Sequence, residues 1–542
     1  MSRTYFLICS ILLTTQIVSG QAFTSPPEFE KNEGIILKWN YDNSVDSTVA
    51  QIAAIISADD KVWILCDTTN LVGMAAIQSQ LGQRGANLSN VIFMQGTAEN
   101  PWLRDYGPVS SYFVDGANCI RHFVDPQYGQ AQNPLADFLP LQLASDFGFN
   151  YEAMPLNFEG GNLLLDGIGR GFVSDRVISQ NPGKSKNEII QILYTSLSLN
   201  EIIILPSIPE SGGGEWKELS RLAKFTDPET VMVSQFPESV PYYEQMESLA
   251  DSLSKTFNDF GKLLKVVRLP VASLQDGSYS VSDSGEIRSY TSSLIFNNKI
   301  LIPSYNKPSD AVALSVYQQV FDGYQIFQIP SQVLSDNHGS LSRLSAYIPQ
   351  ENLFRMRHSK YTGPQFFENE LWINTFVQTF DVIDSIQLFY RIHPSTTFEV
   401  MNTYGCCGGN SGYLSGYTIN DTVSYFIRAY SGDYEQTLPN AAPDATFTFW
   451  FDIFAGSQAA TEKQEFTIFP NPAKNFIYIN GNKESFKNAN YQIHNISGGL
   501  VSEGILNSER KITLPESMAN GLYILKIITS GKSWVSKLYL HR

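Results

Sequence analysis

Short apolar runs punctuate the first two-thirds of the chain. Ile35–Trp39, Val62–Leu65, Val91–Met94, Ile202–Leu205, Val231–Val233, Leu294–Phe296 and Ile300–Ile302 are each bounded by Asn, Asp, Gly or Pro. Runs of this length with such borders predict buried strands. Helical spacing appears between several of them. Ser185–Leu197 carries Ile189, Ile190 and Leu193 on one face, Tyr242–Phe257 carries Met246, Leu249 and Leu253, and Asp310–Phe321 is a third such segment. Helices set between strands predict an α/β architecture from residue 27 to about 350. The texture then changes. From about 365 to 457 the strand-like runs Leu371–Ile373, Thr397–Val400, Val423–Arg428 and Ala445–Phe451 are separated by Gly, Asn and Pro turns, with no amphipathic helix. That pattern predicts a small all-β sandwich of immunoglobulin-like type. Ala455–Gln464 is small and polar and reads as a linker. Short strands resume at Phe466 and continue through Gly521–Ile527 to the end at Arg542.

The N-terminus adds a compartment. Arg3 precedes a largely apolar stretch, Tyr5–Val18, and then Ser19-Gly20-Gln21. A positive start, a short apolar run and small residues predict a secretory signal peptide cut after Gly20. The run is shorter than the ~20 residues of a spanning helix, and no later segment is apolar enough to be one. Charge narrows the partners. With 37 Lys+Arg against 53 Asp+Glu the net charge is −16, which opposes nucleic-acid binding. Cys9 leaves with the signal. Cys66, Cys119, Cys406 and Cys407 remain and allow three disulfide connectivities. Cys66 ends an apolar strand and is expected as a buried free thiol. The Cys406–Cys407 pair sits in a turn-like stretch without a second pair at ligand spacing, so no zinc site is expected.

Two acidic turns carry the chemistry. Trp102-Leu-Arg-Asp-Tyr-Gly-Pro108 packs an acid, a base and an aromatic into one turn, and Asn157-Phe-Glu-Gly-Gly-Asn162 joins an acid to two glycines. Together they resemble the motifs of the guanidino-modifying (pentein) superfamily, and more narrowly of agmatine deiminases and Porphyromonas-type peptidylarginine deiminases. Pro27–Glu30 and Leu294–Pro303 extend the likeness over about residues 25–350. The tail, with Phe469-Pro-Asn-Pro-Ala473, Gly521–Ile527 and the Lys-Leu-x-x-x-Arg ending, resembles the type IX secretion sorting domain of Bacteroidota. With the signal peptide read at 1–20 and the immunoglobulin-like domain at 363–458, the resemblance implies a five-bladed α/β propeller at 21–362 and a sorting domain at 459–542. No clean internal repeat is visible in the sequence. The sorting domain implies passage through the type IX machinery, its own removal, and a product released or held at the cell surface.

The family's reaction needs a thiolate nucleophile, a histidine for proton transfer and two carboxylates that grip the guanidinium. It needs no cofactor or metal. Asp105 matches the first carboxylate. Counting back from Pro228 places Glu218 at the position of the general-acid histidine and Ser220 at that of the second acid, while Lys224 matches the family's basic residue. The nucleophile stretch reads Asp336–Pro349, with Ser342-Arg343 where the family has His-Cys. Gln130 and Gln132 fall where arginines would grip a peptidyl substrate's carboxylate. A shifted register offers no rescue: there is no cysteine between residues 120 and 400, and His338 is the one histidine between 123 and 357. Three functions stay open: a pseudo-deiminase with a remnant site for an arginine-like or peptide ligand, a guanidino hydrolase using Glu218 as base and Asp105 as acid, and a surface interaction protein. Arg343 is expected either to lie in the guanidinium pocket against Asp105 and Glu218 or to point to solvent beside a collapsed pocket.

Overall fold

The computed structural model describes residues 25–451 and 466–540, apart from 97–99, 116–117, 130–133, 207–217, 259, 280–286, 366, 368–369, 407–408, 433, 472, 482–488, 496–498, 507–509 and 529–532. The chain divides into two compact units, Met1–Phe451 and Asp452–Arg542. The expected signal peptide lies outside the described residues.

Unit one opens with β1 (Asn32–Lys38), α1 (Asn43–Ser57), β2 (Lys61–Cys66), α2 (Leu71–Gln83) and β3 (Val91–Gln95), with β1, β2 and β3 parallel. After a single-turn helix, α3 (Leu103–Tyr106), β4 (Val109–Asp115) and β5 (Asn118–Gln127) form an antiparallel pair. Then α4 (Pro134–Phe147) leads to β6 (Asn150–Asn157), parallel to β5. The same strand–strand–helix–strand unit recurs. It returns as β7 (Leu163–Leu165), β8 (Arg170–Ser174), α5 (Arg176–Ser179), α6 (Lys186–Ser196) and β9 (Glu201–Leu205). It returns again as β10 (Ala223–Asp227), β11 (Thr230–Gln235), α7 (Tyr243–Ser254) and β12 (Lys265–Ala272), to which β13 (Arg288–Ser289) adds. A further copy is β14 (Leu294–Phe296), β15 (Lys299–Ser304), α8 (Ser309–Val320) and β16 (Gln325–Pro330). Finally α9 (Gln332–Asp336) and β17 (Ser345–Pro349) follow, and β17 pairs antiparallel with β1. The last strand thus completes the first sheet, and the described residues up to Pro349 form five small sheets.

The apolar runs are continuous because these sheets are covered on both faces. In β1, Ile35 and Leu37 pack with Val49, Ile52 and Ile56 of α1, while Ile36 between them packs with Trp63, Leu65 and Leu103. Local signals fix the helix starts. Asp42 accepts from the Ser44 amide ahead of α1, and Ser185 and Glu188 form a reciprocal capping box at α6, which satisfies first-turn amides that otherwise lack partners.

The all-β region of unit one starts at β18 (Phe354–Arg357) and continues with β19 (Gly363–Gln365), β20 (Leu371–Thr379), β21 (Ser385–Ile392), β22 (Glu399–Asn402), β23 (Tyr404–Cys406), β24 (Gly409–Leu414), β25 (Thr422–Ser431), β26 (Tyr434–Leu438) and β27 (Phe447–Phe451). One sheet runs β18-β20-β24-β23 and the other β19-β27-β25-β21-β22, with β26 on β25. Both contribute to one core that includes Ile373, Leu388, Leu414, Tyr425, Ile427 and Phe449. The region begins earlier than the expected 363, because Phe354 and Met356 are part of that core. Lys360 pairs with Asp227 at 2.7 Å, and Asn440 donates to the Phe29 carbonyl at 2.8 Å. These contacts bind it to the five-sheet part. Unit two is all-β, with β28 (Phe466–Phe469), β29 (Phe476–Gly481), β30 (Asn490–Asn495), β31 (Leu500–Ile505), β32 (Lys511–Thr513), β33 (Gly521–Ile528) and β34 (Ser533–Leu540). Its sheets, β28-β29-β32 and β31-β30-β33-β34, enclose Ile477, Ile493, Leu525, Ile527 and Leu538.

Candidate active site

Each of the five sheets is entered through a single helical turn. α3 precedes β4, Gly160–Asn162 precedes β7, Leu219–Arg221 precedes β10, Tyr290–Ser292 precedes β14 and Leu341–Leu344 precedes β17. α3 touches the turns at 341–344 and 160–162, the 160–162 turn touches 219–221, and that turn touches 290–292. The recurring unit therefore brings together residues more than two hundred positions apart.

Asp105 of α3 and Arg343 meet in this assembly. The Arg343 Nε–H donates to Asp105 Oδ1 at 3.0 Å, and Nη2 donates to Asp105 Oδ2, giving the two-point geometry that suits a carboxylate. Glu218 Oε1 lies 3.0 Å from the same Nε, and Nη1 donates to the His338 carbonyl at 2.9 Å. The guanidinium also sits over the Trp102 ring, 5.2 Å from its centroid. Asp105 and Arg343 are 3% exposed and Glu218 is 1% exposed. The solvent-pointing alternative for Arg343 is therefore not what the structure shows.

The surrounding turns explain the glycines. A Cβ on Gly160 would lie 2.6 Å from the Arg104 carbonyl, and one on Gly161 would lie 2.8 Å from the Glu218 carboxyl carbon. A Cβ on Gly339 would fall 1.8 Å from the Trp102 ring. Before it, His338 adopts a left-handed φ of 56°. Its side chain is exposed, and its carbonyl accepts from both Arg221 and Arg343. This carbonyl was not foreseeable, because the sequence marks His338 for its imidazole. Asn162 Oδ1 accepts from the Leu219 amide at 3.3 Å, tying one acidic turn to the turn that carries Glu218. Beneath Asp105, Arg104 pairs with Glu28, which also holds Lys224 at 2.5 Å. Pro27–Glu30 thus supplies a buried anchor for the Trp102–Pro108 turn.

Arg343 Nε carries a single N–H, and it goes to Asp105. Glu218 Oε2 is buried without a hydrogen-bond partner. Burial pushes the Glu218 acid up to about 8, with Asp105 adding to the rise and Arg343 opposing it. The site is thus an Asp105–Arg343 ion pair beside a Glu218 acid held well above the ordinary carboxylate range. Burial and the neighbouring Arg343 lower Arg221 to about 10, so it remains cationic. Ser220 is fully buried, and its hydroxyl lacks a partner. Ser342 lies 3.3 Å from the Ser340 hydroxyl. Gln130 and Gln132 fall outside the described residues. Among the described residues no group of His, Cys, Asp and Glu is arranged to hold a metal.

With this geometry in hand, comparison with known proteins is decisive. Residues 24–349 match the model of the Porphyromonas-type peptidyl-arginine deiminase family. The chain belongs to that family. Its deiminase-family region holds Asp105, Glu218, Ser220 and Arg343 together. Residues 467–541 match the secretion system C-terminal sorting domain, which marks the chain for export. A provisionally named agmatine deiminase of Vibrio parahaemolyticus is 25% identical over 374 residues, covering 62% of this chain and 99% of that protein. A counterpart from Shewanella baltica is 23% identical over 371 residues, with 62% and 96% covered. Among solved structures, a provisionally named arginine deiminase from Porphyromonas gingivalis superposes with a TM-score of 0.53 at 23% identity, over 61% of this chain and 99% of that one. The agmatine deiminase of Enterococcus faecalis gives 0.51 at 20% identity, over 61% and 96%. These likenesses place the deiminase-family region in the pentein fold.

The thiols of that region lie in unremarkable surroundings for a nucleophile. Within residues 24–349 the cysteines are Cys66 and Cys119. Both are free, and burial raises each to about 11. Cys66 is packed among the core side chains of β2, and Cys119 lies on β5 opposite Val114. Cys407 and the side chain of Cys406 lie outside what is described.

Proposed function

We propose that this chain is an exported, catalytically silent member of the deiminase family whose guanidinium pocket is filled by its own Arg343. The observation that carries the reading is the two-point grip of Asp105 on Arg343, with Glu218 against the same Nε. In an active member a short thiol would face the substrate carbon at this position. Here the longer side chain ends in the substrate's own functional group. A guanidinium stays protonated in proteins and cannot act as a nucleophile. The histidine and second-acid positions hold Glu218 and Ser220, so the nucleophile, proton carrier and one carboxylate are replaced together. Free arginine meets an occupied site on steric grounds, and the one strong anion there is already neutralised.

In this reading the five sheets are the five blades of the propeller, occupying residues 21 to about 350. The sandwich from Phe354 to about 458 is an immunoglobulin-like domain, and 459–542 is the type IX sorting domain, removed on export. The product works by binding, either released or at the cell surface. Glu218, with its acid near 8, favours a second reading as the base of an unusual hydrolase. That reading requires room for substrate where Arg343 lies. The test is calorimetric titration of the purified chain with agmatine and arginine. The expected result is no binding heat. Stoichiometric binding abolished by Asp105→Ala overturns the reading.

A further inference from the structure

A cavity of about 90 Å³ lies among Glu28, Arg104 and Lys224, with Pro27, Phe29 and Leu164 in its apolar wall. Its volume is several times the ~10–15 Å³ that admits one water. Among the described residues of the lining, Glu28 is the one carboxylate, and it faces two cations. Arg104 takes one Glu28 oxygen and Lys224 the other, at 2.5 Å. Although burial raises the Glu28 acid, Arg104 and Lys224 bring it down to about 2, so it is fully ionised. Lys224 is 2% exposed at its side chain. Burial lowers Lys224, Glu28 opposes that fall and Arg104 adds to it. Arg104 Nη1 is buried and has no hydrogen-bond partner. Glu218 also acts on Arg104 through its charge, but its carboxylate lies against Arg343 at 3.0 Å. A buried guanidinium donor with no acceptor is costly, and a bound anion is the ordinary remedy.

We infer that this cavity binds a small aliphatic monocarboxylate, whose carboxylate takes Arg104 Nη1 and the unused N–H groups of Lys224 and whose carbon chain lies against Pro27, Phe29 and Leu164. The ionised Glu28 in the same lining disfavours a divalent anion. The apolar wall disfavours a halide, which would leave that wall in contact with water. The small volume excludes a long acyl chain.

The experiment is thermal unfolding of the purified chain in sodium propionate and, at matched ionic strength, in sodium chloride. Propionate raises the midpoint saturably and chloride does not. Lys224→Met keeps the side-chain length and leaves Glu28 and Arg104 as a balanced pair, so this variant loses the propionate response, with apparent affinity reduced at least tenfold. Equal responses to the two salts, or a response retained in Lys224→Met, overturn the assignment. Should Lys224→Met not fold, a crystal of the unmodified chain soaked in propionate decides. A carboxylate at Arg104 Nη1 supports the site, and water alone overturns it.

Discussion

Arg343→Ala is the perturbation that reports most on the buried site. It removes both hydrogen bonds to Asp105 and the one to the His338 carbonyl. It leaves a carboxylate 3% exposed without its cation. Breaking a buried pair by deleting one partner costs about 3–5 kcal/mol, because the remaining charge is uncompensated. One kcal/mol shifts the midpoint by ~2–4 °C for a domain of 150–250 residues and by less for a larger one, so a unit of this size should melt on the order of 5 °C lower. The vacated space has the shape of the group removed. Methylguanidine should therefore restore stability to Arg343→Ala at millimolar concentration and leave the unmodified chain unaffected. At a hundred times its dissociation constant a ligand contributes about 2.7 kcal/mol. The assay is scanning calorimetry, with urea at the same concentration as a control for denaturant effects. Adding Asp105→Asn to Arg343→Ala should recover part of the lost stability and abolish the rescue, since the two residues form one coupled pair. An Arg343→Ala chain as stable as its parent, and indifferent to methylguanidine, would refute the reasoning.

Other outcomes follow from the same geometry. Glu218 is raised in the folded state, so its protonation stabilises the fold fully below the ordinary glutamate value near 4.5, and that contribution is lost as pH rises through about 8. Chemical denaturation between pH 5 and 8.5 should show stability falling by at most ~1.4 kcal/mol per unit, and Glu218→Gln should flatten the profile. Gly339→Ala drives a Cβ into the Trp102 ring and should destabilise by about 1–3 kcal/mol or more, while Gly85→Ala, with nothing within 4 Å of its added carbon but a φ of +83°, should cost only the strain of that conformation. Mass spectrometry of the exported protein should show loss of residues 1–20 and a new C-terminus between about 455 and 466. An intact Arg542 in the mature form would remove the sorting assignment.

Much of this was legible in the sequence, and the reasons are specific. The apolar runs of β1, β2 and β15 are buried on both faces, so they stand out as unbroken stretches. α6 and α7 carry regular apolar stripes, and their ends fall within about three residues of the expected limits. α1, α2 and α4 do not stand out in the sequence. α2 buries only Ile77 and Leu81, and α4 carries Pro140 within it, so neither shows a strong stripe. β5 ends in Asp-Pro-Gln and β16 in Ile-Pro, which hides them among turn signals. The fivefold recurrence was invisible because it is a recurrence of topology, with Trp102–Tyr106, Gly160–Asn162 and Leu341–Leu344 sharing position and not residue type. The pairing of Asp105 with Arg343 could be argued from motif positions and charge alone. The raised acid of Glu218 could not, since it depends on how deeply the fold buries that carboxyl. The role of the His338 carbonyl depends on a left-handed backbone that a histidine does not announce.

The central claim is that this chain keeps the pocket of a deiminase and fills it. Product formation tests it most directly. Purified protein incubated with arginine, agmatine and arginine-terminated peptides should release citrulline or carbamoylputrescine and ammonia no faster than buffer, and Arg343→Cys should be equally inert because Glu218 and Ser220 remain in place of the proton carrier and second acid. Turnover by the unmodified chain above background, abolished by Asp105→Ala, would contradict the account.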